Sequence, residues 1–200
     1  MKIDRSAIWA ECLARGLSNN ENLPELEESL SLRPLKEIVG RIMALHGIVA
    51  CSYGYSPTQT LKWLEENGVV GFLTSSERIA LESSGPMAEY QWEVYSLYAL
   101  AWVLGLINGY SATSEMPDTL VNVLPDIKEG EAIEHFYSRV SLRGEREIIV
   151  QLDASYCVHW AILDAAQRGI ASPVEGAIQR RRALEWCMSD KDWDSISLDT

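Results

Sequence analysis

Between Met87 and Tyr110 the chain reads MAEYQWEVYSLYALAWVLGLINGY. Glu89, Glu93 and Ser96 keep a polar stripe at helical spacing through its first half. From Leu97 to Ile107 no residue is charged and no face is polar. A helix that is apolar on every side has to be enclosed by other elements, so residues 87–107 are expected to form a buried central helix. The charge-free run, Val94 to Ile107, is 14 residues long, short of the roughly 20 that span a bilayer. A core helix is therefore expected, and no membrane association.

The rest of the chain supplies helices to surround it. Asp4 can cap a first helix that ends near Gly16, with Ile8, Trp9, Cys12 and Leu13 on its apolar side. A polar connection from Ser18 to Arg33 carries Pro24 and an acidic cluster, Glu25, Glu27 and Glu28. Pro34 suits the first position of a second helix, whose apolar face holds Leu35, Ile38, Ile42 and Leu45. Gly40 and Gly47 on that helix mark places of close backbone approach. Ser56-Pro57 opens a third helix that Asn67-Gly68 closes, and Thr74 with Glu77 forms a capping box for a short fourth. After the central helix, residues 108–128 are irregular, broken by Pro117 and Pro125. Three further helices are expected at 129–140, at 145–168 before Gly169, and from Pro173 to Met188. Period-two alternation is nearly absent and no internal repeat is present. The expected fold is all-α: residues 1–200 form one compact domain of about eight helices. Its acidic tail, residues 189–200, is expected to be docked by Trp193.

With 47% apolar and 23% charged residues, the composition is that of a soluble globular chain. The formal net charge of -12 argues against nucleic-acid binding, which needs a basic footprint. A basic protein partner fits this charge. Cys12, Cys51, Cys157 and Cys187 show no tight pairing and are expected to be buried free thiols. With charged residues where a signal peptide would need an apolar run, they point to the cytoplasm.

No Gly-rich phosphate loop, H-E-x-x-H, G-x-S-x-G or paired-cysteine zinc spacing is present, so no cofactor or metal is expected. The densest set of chemistry-bearing residues is on the long helix. Asp153, Trp160 and Asp164 share one stripe, beside Tyr156 and His159. A histidine near carboxylates can act as a general acid-base, with Glu93 a further candidate base if buried. The structural alternative packs His159 in the core and pairs the aspartates with arginines. Arg180, Arg181 and Arg182 form the one dense basic cluster. Consecutive residues point about 100° apart, so at least one should face inward and require Asp153, Asp164 or Glu93 as partner; alternatively Arg180 and Arg181 hold an anionic ligand. Trp92, Trp102 and Trp160 are candidates for an aromatic-lined ligand space. His46 and His135 have no obvious companions.

These residues fall in an order that resembles the uncharacterised, mainly bacterial family called domain of unknown function 4272. The resemblance rests on Arg5-Ser6, Arg15-Gly16, Leu23-Pro24, Arg33 with Glu37-Ile38 and Arg41, and Trp92-Glu93 leading to Trp102-x-Leu-Gly. It continues through Leu142-Arg143, Tyr156, His159-Trp160-Ala161, Asp164-Ala165, Arg180-Arg181-x-Ala-Leu-x-Trp186, Trp193-Asp194 and Asp199-Thr200. Two departures stand out: the family pattern leads one to expect a basic residue nearer Cys157 and an acidic one nearer Gln179. The resemblance implies one soluble domain and no particular activity. Three functions are compatible with the chain. The first is a non-catalytic interaction module, an adaptor or antitoxin-like neutraliser of a basic partner. The second is an enzyme with His159 as acid-base, Asp164 orienting it and an arginine binding an anionic small molecule. The third is a small-molecule sensor built on the tryptophans.

Overall fold

The computed structural model describes residues 3–26, 31–83 and 85–199. Glu27 and Glu28 of the acidic cluster, and Thr200, lie outside the described residues. Within them are eight α-helices and no strand: α1 (Ser6–Ala14), α2 (Leu35–Ser52), α3 (Pro57–Glu66), α4 (Ser75–Ser83), α5 (Val94–Val103), α6 (Ile133–Tyr137), α7 (Glu145–Gln167) and α8 (Ala177–Cys187). Neighbours pack in the spatial order α4, α3, α2, α5, α8, α7, α1, which puts α5 in the middle of a single domain. Every residue from Ser96 to Leu104 is buried. The enclosure expected of the apolar stretch is what the fold provides.

That stretch is helical over a shorter span than residues 87–107. Residues Ala88–Glu93 form a 3-10 turn that feeds into α5. At the other end Gly105, with φ +70, closes the helix: Gly105 N–H donates to Trp102 O (2.9 Å) and Leu106 N–H to Ala101 O (3.0 Å), the bonding of a Schellman cap. Trp102 O takes a second bond, and the two carbonyls left over are satisfied, from a distant segment. Arg143 Nε donates to Trp102 O (2.8 Å), while the backbone N–H groups of Arg143 and Ser141 donate to Val103 O (3.0 Å) and Leu104 O (2.9 Å).

Local signals set most other boundaries. Thr74 and Glu77 make the reciprocal bonds of a capping box at α4 (2.9 and 3.3 Å), and Ser56 accepts from Gln59 N–H ahead of Pro57 at α3. Pro34 is the cap of α2 rather than its first residue. The helix expected at 129–140 shrinks to α6, because Asp126 and Glu131 bond across a turn containing Gly130 at φ +68. Gly40 and Gly47 mark close approach: a Cβ on Gly40 would lie 2.2 Å from the Phe72 ring, and one on Gly47 would lie 2.7 Å from Thr60 Cγ2.

After α8 the chain turns back across α2. Arg33 Nε donates to Trp186 O (2.7 Å) and its Nη2 to Lys191 O. Trp193 is buried edge-on to Trp186 (5.5 Å between centroids), with the Arg41 guanidinium 4.2 Å from its own ring centre. Further on, Arg181 donates to Leu198 O and Asp199 O, both at 3.0 Å. All four cysteines are free and buried. No described helix is long and apolar enough to cross a membrane.

Candidate functional site

The acid-base candidates on α7 face different ways. His159 is 4% exposed, and its Nδ1 accepts a hydrogen bond from Arg181 Nη1 at 2.8 Å. Burial, then the Arg181 charge, lower its pKa to about 4, so the ring is neutral near pH 7. Asp164, five residues on and about 140° around the helix, pairs with Arg168 at 2.8 Å. It does not orient His159. Asp153 is buried and takes a bidentate bond from Arg5 (Nε 2.8 Å, Nη2 2.6 Å), whose remaining donors hold Leu23 O and Pro24 O. The expected pairing of Asp153 and Asp164 with the α8 arginines is therefore not made. One was too far around α7, and the other had Arg5 delivered to it by the start of α1.

The three arginines diverge as the helical step requires. Arg180, 2% exposed, donates to Ser114 O (2.6 Å) and lies over the Tyr95 and Tyr98 rings at 5.3 and 5.1 Å. Its charge meets carbonyl dipoles and ring faces. Arg181 binds His159 and the tail carbonyls, sits over Tyr156 at 4.7 Å, and approaches Glu185 at 3.8 Å. Arg182 reaches Glu93 at 3.0 Å, and the other Glu93 oxygen accepts from Ser96 Oγ at 2.7 Å. Of the three carboxylates expected to meet this cluster, Glu93 alone does.

The tryptophans likewise occupy three places. Trp102 is buried, stacked on Tyr110 at 5.0 Å beneath Arg143. Trp160 meets Trp9 edge-on at 6.3 Å. Trp92 stands 53% exposed against Tyr95. No common ligand space joins them. The thiols offer no nucleophile: burial pushes Cys12 up to about 11 and Cys157 to about 12, and Cys51 and Cys187 are raised as well. Among the described residues no group of His, Cys, Asp and Glu is arranged to hold a metal.

Two features went unread in the sequence. One is the Arg41–Glu77 pair, sealed between α2 and α4 with parallel bonds of 2.7 and 2.6 Å. The other is an open hollow of about 730 Å³ between the C-terminal half of α2, the start of α5 and the α5–α6 connection. Val49, Leu97, Leu120 and Leu124 form its floor, Tyr53 and Val121 its rim, and Asp118 and Lys128 its few charges. The connection is pinned at both ends. Arg180 and Tyr98 bond Ser114 at one end; His46 Nε2 donates to Pro125 O (2.8 Å) and Tyr55 Oη to Ile127 O (3.3 Å) at the other. The signal available in sequence was Leu120-Val-x-Val-Leu124, an apolar cluster between two prolines with too little length for periodicity to register. A second hollow, about 600 Å³, lies between α2 and the tail. Its arginines are already committed, Arg41 to Glu77 and Arg33 to Glu37, Trp186 O and Lys191 O. Neither Arg180 nor Arg181 borders either hollow.

The family model described as Domain of unknown function (DUF4272) matches residues 6–196, and the chain belongs to that family. No curated protein and no solved structure matches it.

Proposed function

We propose that this member of the family is a non-catalytic interaction module that takes a basic protein partner. The observation that carries this reading is where the charged side chains go. His159, Asp153, Glu93, Arg180 and Arg181 are all buried and engaged inside the fold, and the apolar hollow beside α2 and α5 is lined by none of them. A general acid-base must reach a substrate, and the hydrogen bond His159 makes lies within the core. The net charge of -12 favours encounter with a positively charged partner and disfavours nucleic acid. Free, buried cysteines fit residence in the reducing cytoplasm.

Selection of short random peptides displayed on phage against the immobilised full-length protein tests this reading. The expected result is enrichment of sequences with net positive charge, whose binding weakens as salt is raised. Recovery of no binder, or of binders that are neutral or acidic, would overturn it.

A further inference from the structure

Resting on that reading, the geometry points to the place and form of recognition: the hollow between α2, α5 and the α5–α6 connection seats one amphipathic basic helix from the partner. Two walls of the hollow are themselves helices, and the third is an apolar turn, Leu120–Val123. Such a groove accepts the i, i+3, i+4, i+7 anchors of a helix. Strand addition needs an open sheet edge, and the described residues contain no strand.

The rim is unusually apolar for open surface. Tyr53 is 67% exposed and Val121 63% exposed on its two sides. Gln91 Nε2 donates to Ser52 O at 3.1 Å, bringing the turn that carries Trp92 beside Tyr53. Exposed Tyr53 and Val121 around a concave apolar floor make an apolar recognition surface, and Tyr is enriched among binding hot spots. Met116, in the lining, adapts readily to the shape of an incoming side chain.

Charge selects the occupant. The α5–α6 connection exposes Glu115, Asp118, Asp126 and Glu129 against Lys128, four acids and one base, for a net of -3. Asp118 and Lys128 border the hollow itself, and Glu115, Asp126 and Glu129 follow beside them along the connection, so a helix with lysines or arginines flanking its apolar face meets a net negative wall. A second copy of the chain would bring another formal charge of -12 to the same place, so self-association is opposed.

The test uses a synthetic amphipathic helix of leucines on one face and lysines on the other, its counterpart with glutamates for lysines, and a small apolar dye. Fluorescence anisotropy measures helix binding to the wild type, Val121→Asp, Tyr53→Ala, and Leu13→Asp as a control. Leu13 is exposed on α1, at the far end of the packing order. Circular dichroism verifies that each variant is folded. The lysine helix is expected to bind the wild type and the control alike, and to lose at least about tenfold in affinity on Val121→Asp and Tyr53→Ala. The glutamate helix is expected not to bind. A photo-crosslinker on the leucine face should label segments 46–55 and 116–124. Binding of the lysine helix undiminished by both rim variants would overturn the groove while leaving the interaction-module reading standing. Equal binding of both helices would overturn the charge argument, and binding of the dye without either helix would make the hollow a small-molecule site. Failure of the helices together with an empty peptide selection would remove the parent reading itself.

Discussion

Arg41 and Glu77 show what a buried charge requires of this fold. Each is nearly sealed from water, and their bonds run in parallel, Nη1 to Oε2 and Nη2 to Oε1. Glu77 Oε2 also accepts from Thr74 N–H, and Arg41 Nη1 also donates to Phe72 O. A pair of this kind gains little over an apolar replacement of both partners, because desolvation offsets the attraction. Removing one partner is different, since the other is left buried and charged. Glu77→Gln is expected to cost about 3–5 kcal/mol in urea unfolding, with Arg41→Met/Glu77→Leu costing less than the sum of its single changes. A Glu77→Gln protein with unchanged stability would contradict this. His159 poses the opposite case, a group kept neutral. Its pKa falls from 6.5 to about 4 on folding, so between those values the unfolded chain binds a proton that the fold refuses. The stability concerned is fully present above pH 6.5 and is lost as pH falls toward 4. The urea midpoint should decline across that window, and His159→Gln should flatten part of the decline. The remainder belongs to other groups, including His46, whose pKa burial also lowers.

At the scale of elements, the ends of helices explain both what the sequence discloses and what it conceals. Gly105 needs its left-handed backbone, and an added Cβ would sit 2.3 Å from Ser141 O. Gly169, at φ +74, ends α7 with nothing within 4 Å of that position. Both substitutions to Ala incur the backbone penalty of about 1 kcal/mol. Gly105→Ala must in addition displace residues 141–143, which cap α5, for a further loss of about 1–3 kcal/mol. Thermal or urea unfolding of the two variants should therefore rank Gly105→Ala clearly below Gly169→Ala. Equal effects would mean that the 141–143 segment moves aside freely. Caps of this sort are local in the chain, and so the box at Thr74/Glu77, the Ser56-Pro57 start and the Gly169 stop are legible in the residues alone. The start of α5 is not. Hydropathy registers enclosure and is silent on whether residues 88–93 wind as a 3-10 turn or an α-helix. The candidate site is legible only in part. Which residues carry charge is written in the chain, and Glu93–Arg182 is among the pairs it leads one to expect. That Arg5 reaches Asp153 across 148 positions depends on how α1 docks on α7. The hollow depends on three segments meeting, each of which looks ordinary alone.

For the whole molecule, the excess of 29 acidic over 17 basic residues acts on folding and on recognition in opposite directions. Within the folded chain, exposed like charges are crowded together, and unfolding relieves that repulsion. The Arg41–Glu77 pair is buried, and Arg5–Asp153 is buried on its carboxylate side, so both are less affected by added salt than exposed pairs. Exposed pairs such as Lys62–Glu66 and Arg78–Glu82, each at 3.7 Å, contribute little at any ionic strength. Added sodium chloride, which shortens the Debye length from about 30 Å at 0.01 M to about 10 Å at 0.1 M, should thus raise Tm by screening repulsion. The same screening removes the attraction between the acidic α5–α6 connection and a basic helix, so affinity for the lysine helix should fall over the same range. Calorimetry of the free protein and anisotropy of the complex, run in one salt series, measure both slopes. Opposite signs are what a single acidic surface requires. A Tm that drops with salt would mean that exposed ion pairs outweigh the net charge, and an affinity indifferent to salt would mean that the carboxylates of the α5–α6 connection do not face the bound helix.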